Sequence, residues 1–433
     1  MLILAVAVWL VLAAVVLVAW PRFGAWRTGL PLVALAFAVL QQLIFGTIPD
    51  RAFVTFRYAE NIAAGHGAVF NIGERHEDYS NFAWLVLVTL PKALFGADIV
   101  ASAVVLSALC VLACVLLAHR FGPLAAVLTA AASGLAAYEN AGTETSLFVL
   151  LVLAVVWALT TRHPVAAGVF AALLVMTRPD GLAFAIAFAL WLAGTAMGGR
   201  ASWWAPTGFV LAGLAIGVPW LAWRATYYDQ PVLNWPTTEL SLTSYAFLLA
   251  TLFAVAVAWR FEHHRRPSPI PRPSRRWVPV AGLVLCALSL PIAAKEQPDV
   301  LDWRDRLAQT TEIGTWLAAR LPSGSVISTG AAAIAYGVGS RMFVLTSEDE
   351  EFDDYEAVAS IRRPSIAVDA AVGYGSSQQC TLDPELAGRY EVATFLREGM
   401  GEWITVYPRN DQADSLIRRL DADPRLKYVP CPT

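Results

Sequence analysis

The chain has 433 residues, of which 57% are hydrophobic and only 15% charged; its mean hydropathy is +0.55 and its net charge is −3. Soluble domains average about 25% charged residues, so an ordinary soluble protein is excluded and an integral membrane protein is indicated. The small negative charge excludes a general attraction to nucleic acid, and no cysteine–histidine spacing resembles a zinc site.

Residues 1–294 carry nearly all the apolar runs, and 295–433 read as a small domain of soluble composition. Membrane-length runs fall near 2–20, 29–48, 98–118, 122–137, 145–161, 164–177, 181–198, 204–224, 242–259 and 277–294, which predicts about ten spans. The first run lacks a basic n-region and an A-x-A-like cleavage site, so it reads as a retained helix rather than a signal peptide. Residues 82–95 are apolar but short and contain Pro91, which fits an interfacial or re-entrant helix.

Loop charge sets the orientation. Arg22, Arg27, Arg120, Arg162, Arg200 and the arginine-rich, proline-rich segment 260–276 fall on one side. Asp50, Glu60, Glu77, Glu144, Asp180 and Asp229 fall on the other. The positive-inside rule places the first set in the cytoplasm. With ten spans, both termini, the acidic loops and the C-terminal domain then lie outside.

The C-terminal domain opens with a predicted helix at 302–321. Short apolar runs follow at 325–329, 342–346, 365–370, 390–396 and 402–407, then a polar helix at 411–421 and a last strand at 427–430. Strands alternating with helices predict an α/β domain. The segment 329–341, TGAAAIAYGVGSR, lacks G-x-G-x-x-G and reads as a turn and helix, not a nucleotide loop. Cys110, Cys114 and Cys286 lie in apolar runs as small buried residues. Cys380 and Cys431 could form a disulfide if their domain faces an oxidising compartment.

The densest cluster of ionisable groups beside the apolar runs is 50–82, DRAFVTFRYAENIAAGHGAVFNIGERHEDYSNF. Such a cluster is either a solvated loop or a site at the membrane surface. Three features favour the site: interleaved aromatics, Asp50 at the junction of span and loop, and acids recurring at other outer span ends. A carboxylate at such a junction is partly desolvated, which tunes it for base chemistry. Glu144 opens a helix and reads alternatively as a cap. Arg178 either pairs with Asp180 or holds a phosphate. Trp223, Arg224, Tyr227 and Tyr228 read as an interface belt, and His66 as part of a Gly-His-Gly turn.

This stretch resembles the signature of bacterial polyprenyl-phosphate-dependent membrane glycosyltransferases of the GT-C fold. The matching residues are Asp50-Arg51-Ala52-Phe53-Val54-Thr55-Phe56-Arg57-Tyr58-Ala59, Asn61, Gly65-His66-Gly67, Val69-Phe70-Asn71, Gly73-Glu74-Arg75, Glu77 and Tyr79-Ser80-Asn81. Further matches are Gly142–Thr145, Thr177–Gly181 and Tyr227–Asn234. The terminal arabinofuranosyltransferases and mannosyltransferase-like members look nearest. The resemblance implies a GT-C module over 1–294 with an extracytoplasmic loop at 50–97, and an extracytoplasmic α/β domain over 295–433. It implies a bacterial inner-membrane enzyme that transfers a sugar, with inversion, from a polyprenyl-phosphate donor to a glycan or lipid acceptor. No cofactor is implied.

By the same resemblance Asp50 is the general base. Arg57, Tyr58, His66, Glu77, Tyr79, Asn81, Glu144, Arg178 and Tyr228 contact donor or acceptor, and Arg75 is a further candidate. One departure matters: Arg51 stands where the group has a second aspartate. A cation there is expected to depress the Asp50 pKa and weaken it as a base. A catalytically inactive relative that binds lipid phosphate or glycan as an envelope scaffold is therefore the alternative reading.

Overall fold

The computed structural model describes residues 29–121, 125, 126, 129, 130, 141–229, 310–345, 369–375, 378–380, 388–397, 402–423 and 426–431. The chain divides into two compact units, Met1–Ile48 with Tyr79–Leu301, and Pro49–Asp78 with Asp302–Thr433. The expected division is at 294/295, with the loop 50–97 kept in the first module. Residues 49–78 pack with the C-terminal residues instead, because their buried polar side chains bond to backbone groups there.

The first unit is helical: α1 Gly29–Phe45, α3 Phe82–Phe95, α4 Ile99–Phe121, α5 Thr145–Thr160, α6 Pro164–Thr177, α7 Gly181–Met197 and α8 Trp204–Tyr228. Each is an apolar segment bounded by local signals. Pro164 starts α6 at a position where its missing N–H costs nothing. Gly96, at φ 70°, closes α3 in the left-handed region. Val33, Ala34, Phe37 and Ala38 of α1 pack on Val111, Cys114 and Val115 of α4. A second core joins Phe148, Leu151 and Val155 of α5 with Ala167, Ala171 and Leu174 of α6, Phe184 and Phe188 of α7 and Phe209 of α8. Gly168 lets α6 approach α8 so closely that a Cβ there would collide with the Phe209 carbonyl.

The expected spans at 29–48, 98–118, 145–161, 164–177, 181–198 and 204–224 coincide with α1 and α4 to α8. Among the described residues α4 and α8 are long and apolar enough to cross a membrane, whereas the other apolar helices are shorter. At about 1.5 Å per residue, α4 and α8 exceed the ~30 Å hydrocarbon layer. The runs at 2–20, 242–259 and 277–294 and the arginine-rich loop lie outside the described residues, as does most of 122–137.

The second unit holds α2 Ala52–Ala63, a helix α9 over 310–320, α10 Ala332–Val338, α11 Ala413–Leu420 and a six-stranded sheet. Its strands are β1 Val326–Ser328, β2 Phe343–Leu345, β3 Ala370–Gly375, β4 Ala393–Arg397, β5 Glu402–Pro408 and β6 Leu426–Val429, in the order β2-β1-β3-β5-β4-β6. β1 runs parallel to β2 and β3, and the other pairings are antiparallel. The run β1–α10–β2 is thus a parallel crossover unit. Trp316 and Leu317 of α9 are buried, and Trp316 meets Phe395 of β4 edge to face at 5.7 Å.

The alternating strands and helices of the sequence reading are present, with one offset. The strand expected at 365–370 runs from Ala370 to Gly375, and 365–368 lie outside the described residues. Pairing overrides the low β propensity of AAVGYG: Ala371 lies opposite Tyr407 and Val372 opposite Val406, with β1 on the other side. Cys380 and Cys431 form a disulfide with Cα atoms 5.5 Å apart.

Candidate functional site

α2 carries the core of the motif. Phe53, Phe56 and Tyr58 are buried on it, and Tyr336 of α10 packs on Phe53 and Phe56 at 5.4 and 6.3 Å. Asp50, just ahead of α2, is only 8% exposed. Its Oδ2 accepts the Ala332 N–H at 2.6 Å and its Oδ1 accepts the Ala333 N–H at 2.9 Å. The carboxylate thereby satisfies two of the amides that the first turn of α10 leaves without helical partners.

Burial raises the Asp50 pKa, and the bonds from Ala333 and Ala332 act against it. The expectation that Arg51 depresses it is corrected. Arg51 is exposed, and desolvation outweighs every other influence on the carboxylate. Each Asp50 oxygen accepts one N–H and has two lone pairs, so each keeps one acceptor direction among the described residues.

Arg57 is 2% exposed. It donates Nε to the Phe70 carbonyl at 2.8 Å and Nη2 to Asn71 Oδ1 at 3.2 Å and the Met342 carbonyl at 3.1 Å. Its Nη1 bonds the Ala335 carbonyl. Burial lowers its pKa to about 10, with Tyr58 acting in the opposite sense, so it stays cationic at neutral pH. Three of these four bonds go to backbone carbonyls and one to the Asn71 side chain.

Asn71 pairs twice with Val344: its Nδ2 donates to the carbonyl at 2.9 Å, and its Oδ1 accepts the N–H at 2.9 Å. Asn61 Nδ2 donates to the Val69 carbonyl at 2.8 Å. Tyr58 is fully buried and donates to the His76 carbonyl at 2.6 Å. His66 is exposed in a turn between Gly65 (φ 83°) and Gly67 (φ 90°), and its N–H bonds the Asn61 carbonyl. Glu77 is half-buried and Arg75 exposed. The segment 329–341 is the expected turn and helix.

The helical unit holds the other named residues. Tyr79 and Tyr228 are buried with their hydroxyls 3.0 Å apart. Trp223 stacks on Tyr227 at 5.2 Å and also meets Phe82. Asn81 Nδ2 donates to Glu144 Oε2 at 3.0 Å. Glu144 is the N-cap residue of α5 and makes no side-chain capping bond there; its carboxylate accepts the Asn81 amide. Arg178 pairs through Nε with Asp180 Oδ1 at 3.1 Å and lies over the Phe148 ring at 5.4 Å. Phe148 is one turn along α5 from Glu144, which brings Asn81, Glu144 and Arg178 to one end of that helix.

The sequence reading missed the groups that hold these residues. The Ala332 and Ala333 amides carry no side-chain signature. Asn61 and Asn71 stand inside the motif, yet their backbone-pairing role follows from no residue type. In the helical unit, Ser107 Oγ accepts from Gln42 Nε2 at 2.9 Å and from the Gly142 N–H at 3.0 Å, while Trp84 Nε1 donates to the Gly142 carbonyl at 3.2 Å. This network fixes the turn that carries Glu144. No group of three or more His, Cys, Asp or Glu residues suited to a metal occurs among the described residues.

No family model matches the chain, and no curated protein matches it. Among solved structures it is similar to the archaeal oligosaccharyltransferase AglB from Archaeoglobus fulgidus, in complex with an inhibitory peptide and a dolichol-phosphate. That similarity has a TM-score of 0.34 and 16% identity, over 70% of this chain. The chain spans 41% of the length of that structure.

Proposed function

We propose that the protein is a membrane glycosyltransferase that moves a sugar from a polyprenyl-phosphate donor to a glycan or lipid acceptor. The carrying observation is Asp50: a buried carboxylate with a raised pKa, anchored through one lone pair on each oxygen and left with another. Such a group is oriented and of higher basicity than an exposed aspartate, as a general base for an acceptor hydroxyl requires. Asp50 takes the hydroxyl proton as the acceptor oxygen attacks the anomeric carbon. The bond to the lipid phosphate breaks with inversion, and the phosphate leaves with the bonding electrons. For Asn81, Glu144, Arg178, Tyr79 and Tyr228 of the helical unit, a substrate-contact role rests on the motif resemblance alone. Arg57 and Tyr58 shape the loop from within.

The motif resemblance and the apolar helices support a bacterial inner-membrane enzyme of GT-C type. The Cys380–Cys431 disulfide supports an extracytoplasmic C-terminal domain, because disulfides persist in oxidising compartments. An arabinofuranose donor fits the nearest motif group.

The test uses purified full-length protein with farnesyl-phosphate-linked arabinofuranose and its mannose counterpart. Asp50→Asn should reduce transfer on the order of 10³-fold with the fold retained. Because burial raises its pKa, the acid limb of wild-type kcat/KM should lie above the ordinary aspartate value of about 4. Unchanged transfer in Asp50→Asn overturns the base assignment. A second reading, an inactive lipid-phosphate-binding scaffold, is favoured by the two amides already bound to Asp50. Wild-type protein that binds farnesyl phosphate yet transfers neither sugar establishes it.

A further inference from the structure

The fold places Asp50 at a particular point of the C-terminal sheet. β1 lies between β2 and β3, both parallel to it, so the connection leaving β1 reaches β2 on one side while the next strand joins on the other. The carboxyl end of such a strand is where α/β folds place functional groups. Thr329-Gly330-Ala331 turns the chain there, α10 begins at Ala332, and the Asp50 carboxylate sits on its first two amides.

We infer that the backbone amides of Ala332 and Ala333 are the positioning groups of the base. The inference rests on the base reading above. Two N–H donors fix both the direction and the rotation of a carboxylate, which one donor cannot do. They are neutral and so do not compete for the proton. Among the described residues, the charged and titratable groups near the pair are few. Arg51 is exposed, Arg57 on α2 is bound by carbonyls, Glu60 on α2 lies 3.4 Å from the Tyr336 hydroxyl, and Tyr336 is the one titratable residue of α10. Residues 302–433 are therefore part of the catalytic apparatus, although no side chain of theirs reacts.

Ala332→Pro tests this. Ala331 is extended at φ −99°, ψ 115°, the conformation a following proline favours, and a first helical position tolerates proline. The ring deletes the N–H to Oδ2 and keeps the one from Ala333. A bond to the charged form is lost, so the Asp50 pKa rises. The Asp50 carboxylate band, isolated by infrared difference against Asp50→Asn, should titrate at higher pH than in the wild type. On farnesyl-phosphate arabinofuranose, kcat/KM should fall about a hundredfold, with its acid limb displaced the same way. Should the ring unfold the domain, the α-hydroxy acid in place of Ala333 removes the other N–H without added bulk, and the same shifts are expected. A folded variant whose kcat/KM is unchanged overturns the inference, since a purely structural cap shifts the Asp50 titration and stability but not transfer above its acid limb. Retained transfer in Asp50→Asn overturns the base reading instead.

Discussion

The two units cohere by different physics. The helical unit joins mainly through small and apolar side chains (alanines, Gly168 under the Phe209 carbonyl, a phenylalanine cluster), with a few side-chain bonds such as Gln42–Ser107 among them. The sheet unit fastens residues 49–78 through polar side chains bonded to main chain, with Asp50, Arg57, Asn61 and Asn71 making nearly all the bonds described above. In an apolar solvent, packing and close approach do the joining, because burial of apolar surface gains little there. In water, each buried polar group must find a partner, and four such residues can specify one docking geometry.

Substitutions at the joints separate the two regimes. Arg57→Ala should have the largest effect, about 5 kcal/mol on the sheet unit, because four carbonyl or amide acceptors lose one buried cation. Hydrogen exchange across 326–345 in the full-length protein would report it; protection equal to wild type contradicts the clamp role. Replacing both Cys380 and Cys431 by serine reopens a loop of 51 residues and should cost about 4 kcal/mol. A reductant-insensitive melting transition in the wild type would speak against that. Gly168→Ala should weaken the α6–α8 contact by about 2 kcal/mol, measured as detergent-dependent unfolding, while the sheet unit keeps its exchange protection. The smallest effect, about 1 kcal/mol, belongs to Tyr228→Phe, which removes one hydroxyl of the Tyr79–Tyr228 pair.

Local pattern made much of this legible. The short runs at 325–329, 342–346, 390–396 and 402–407 each overlap an observed strand, because alternating β-branched and aromatic residues fit a pleated surface. Strand β3 was displaced because its Ala-Gly sequence is made extended by its neighbours alone. The site divides similarly. The Arg178–Asp180 contact is readable from adjacent residues. The partnership of Asp50 with Ala332 and Ala333 joins residues more than 280 apart through backbone N–H groups, which every non-proline residue has. Charge density around Asp50 pointed to Arg51 as its governing neighbour, whereas burial governs it.

Asn71 has a consequence of another kind. β2 is an outermost strand of the sheet, and the amide of Asn71 occupies the hydrogen-bonding groups of Val344 on it. An open strand flank is a template for pairing with another chain. Residues 302–433 expressed without 49–78 should therefore self-associate through β2, and a synthetic 49–78 peptide should return them to monomers in a way that its Asn71→Ala version does not. The motif that supplies the proposed base would in that case also be a built-in chaperone for the sheet it binds.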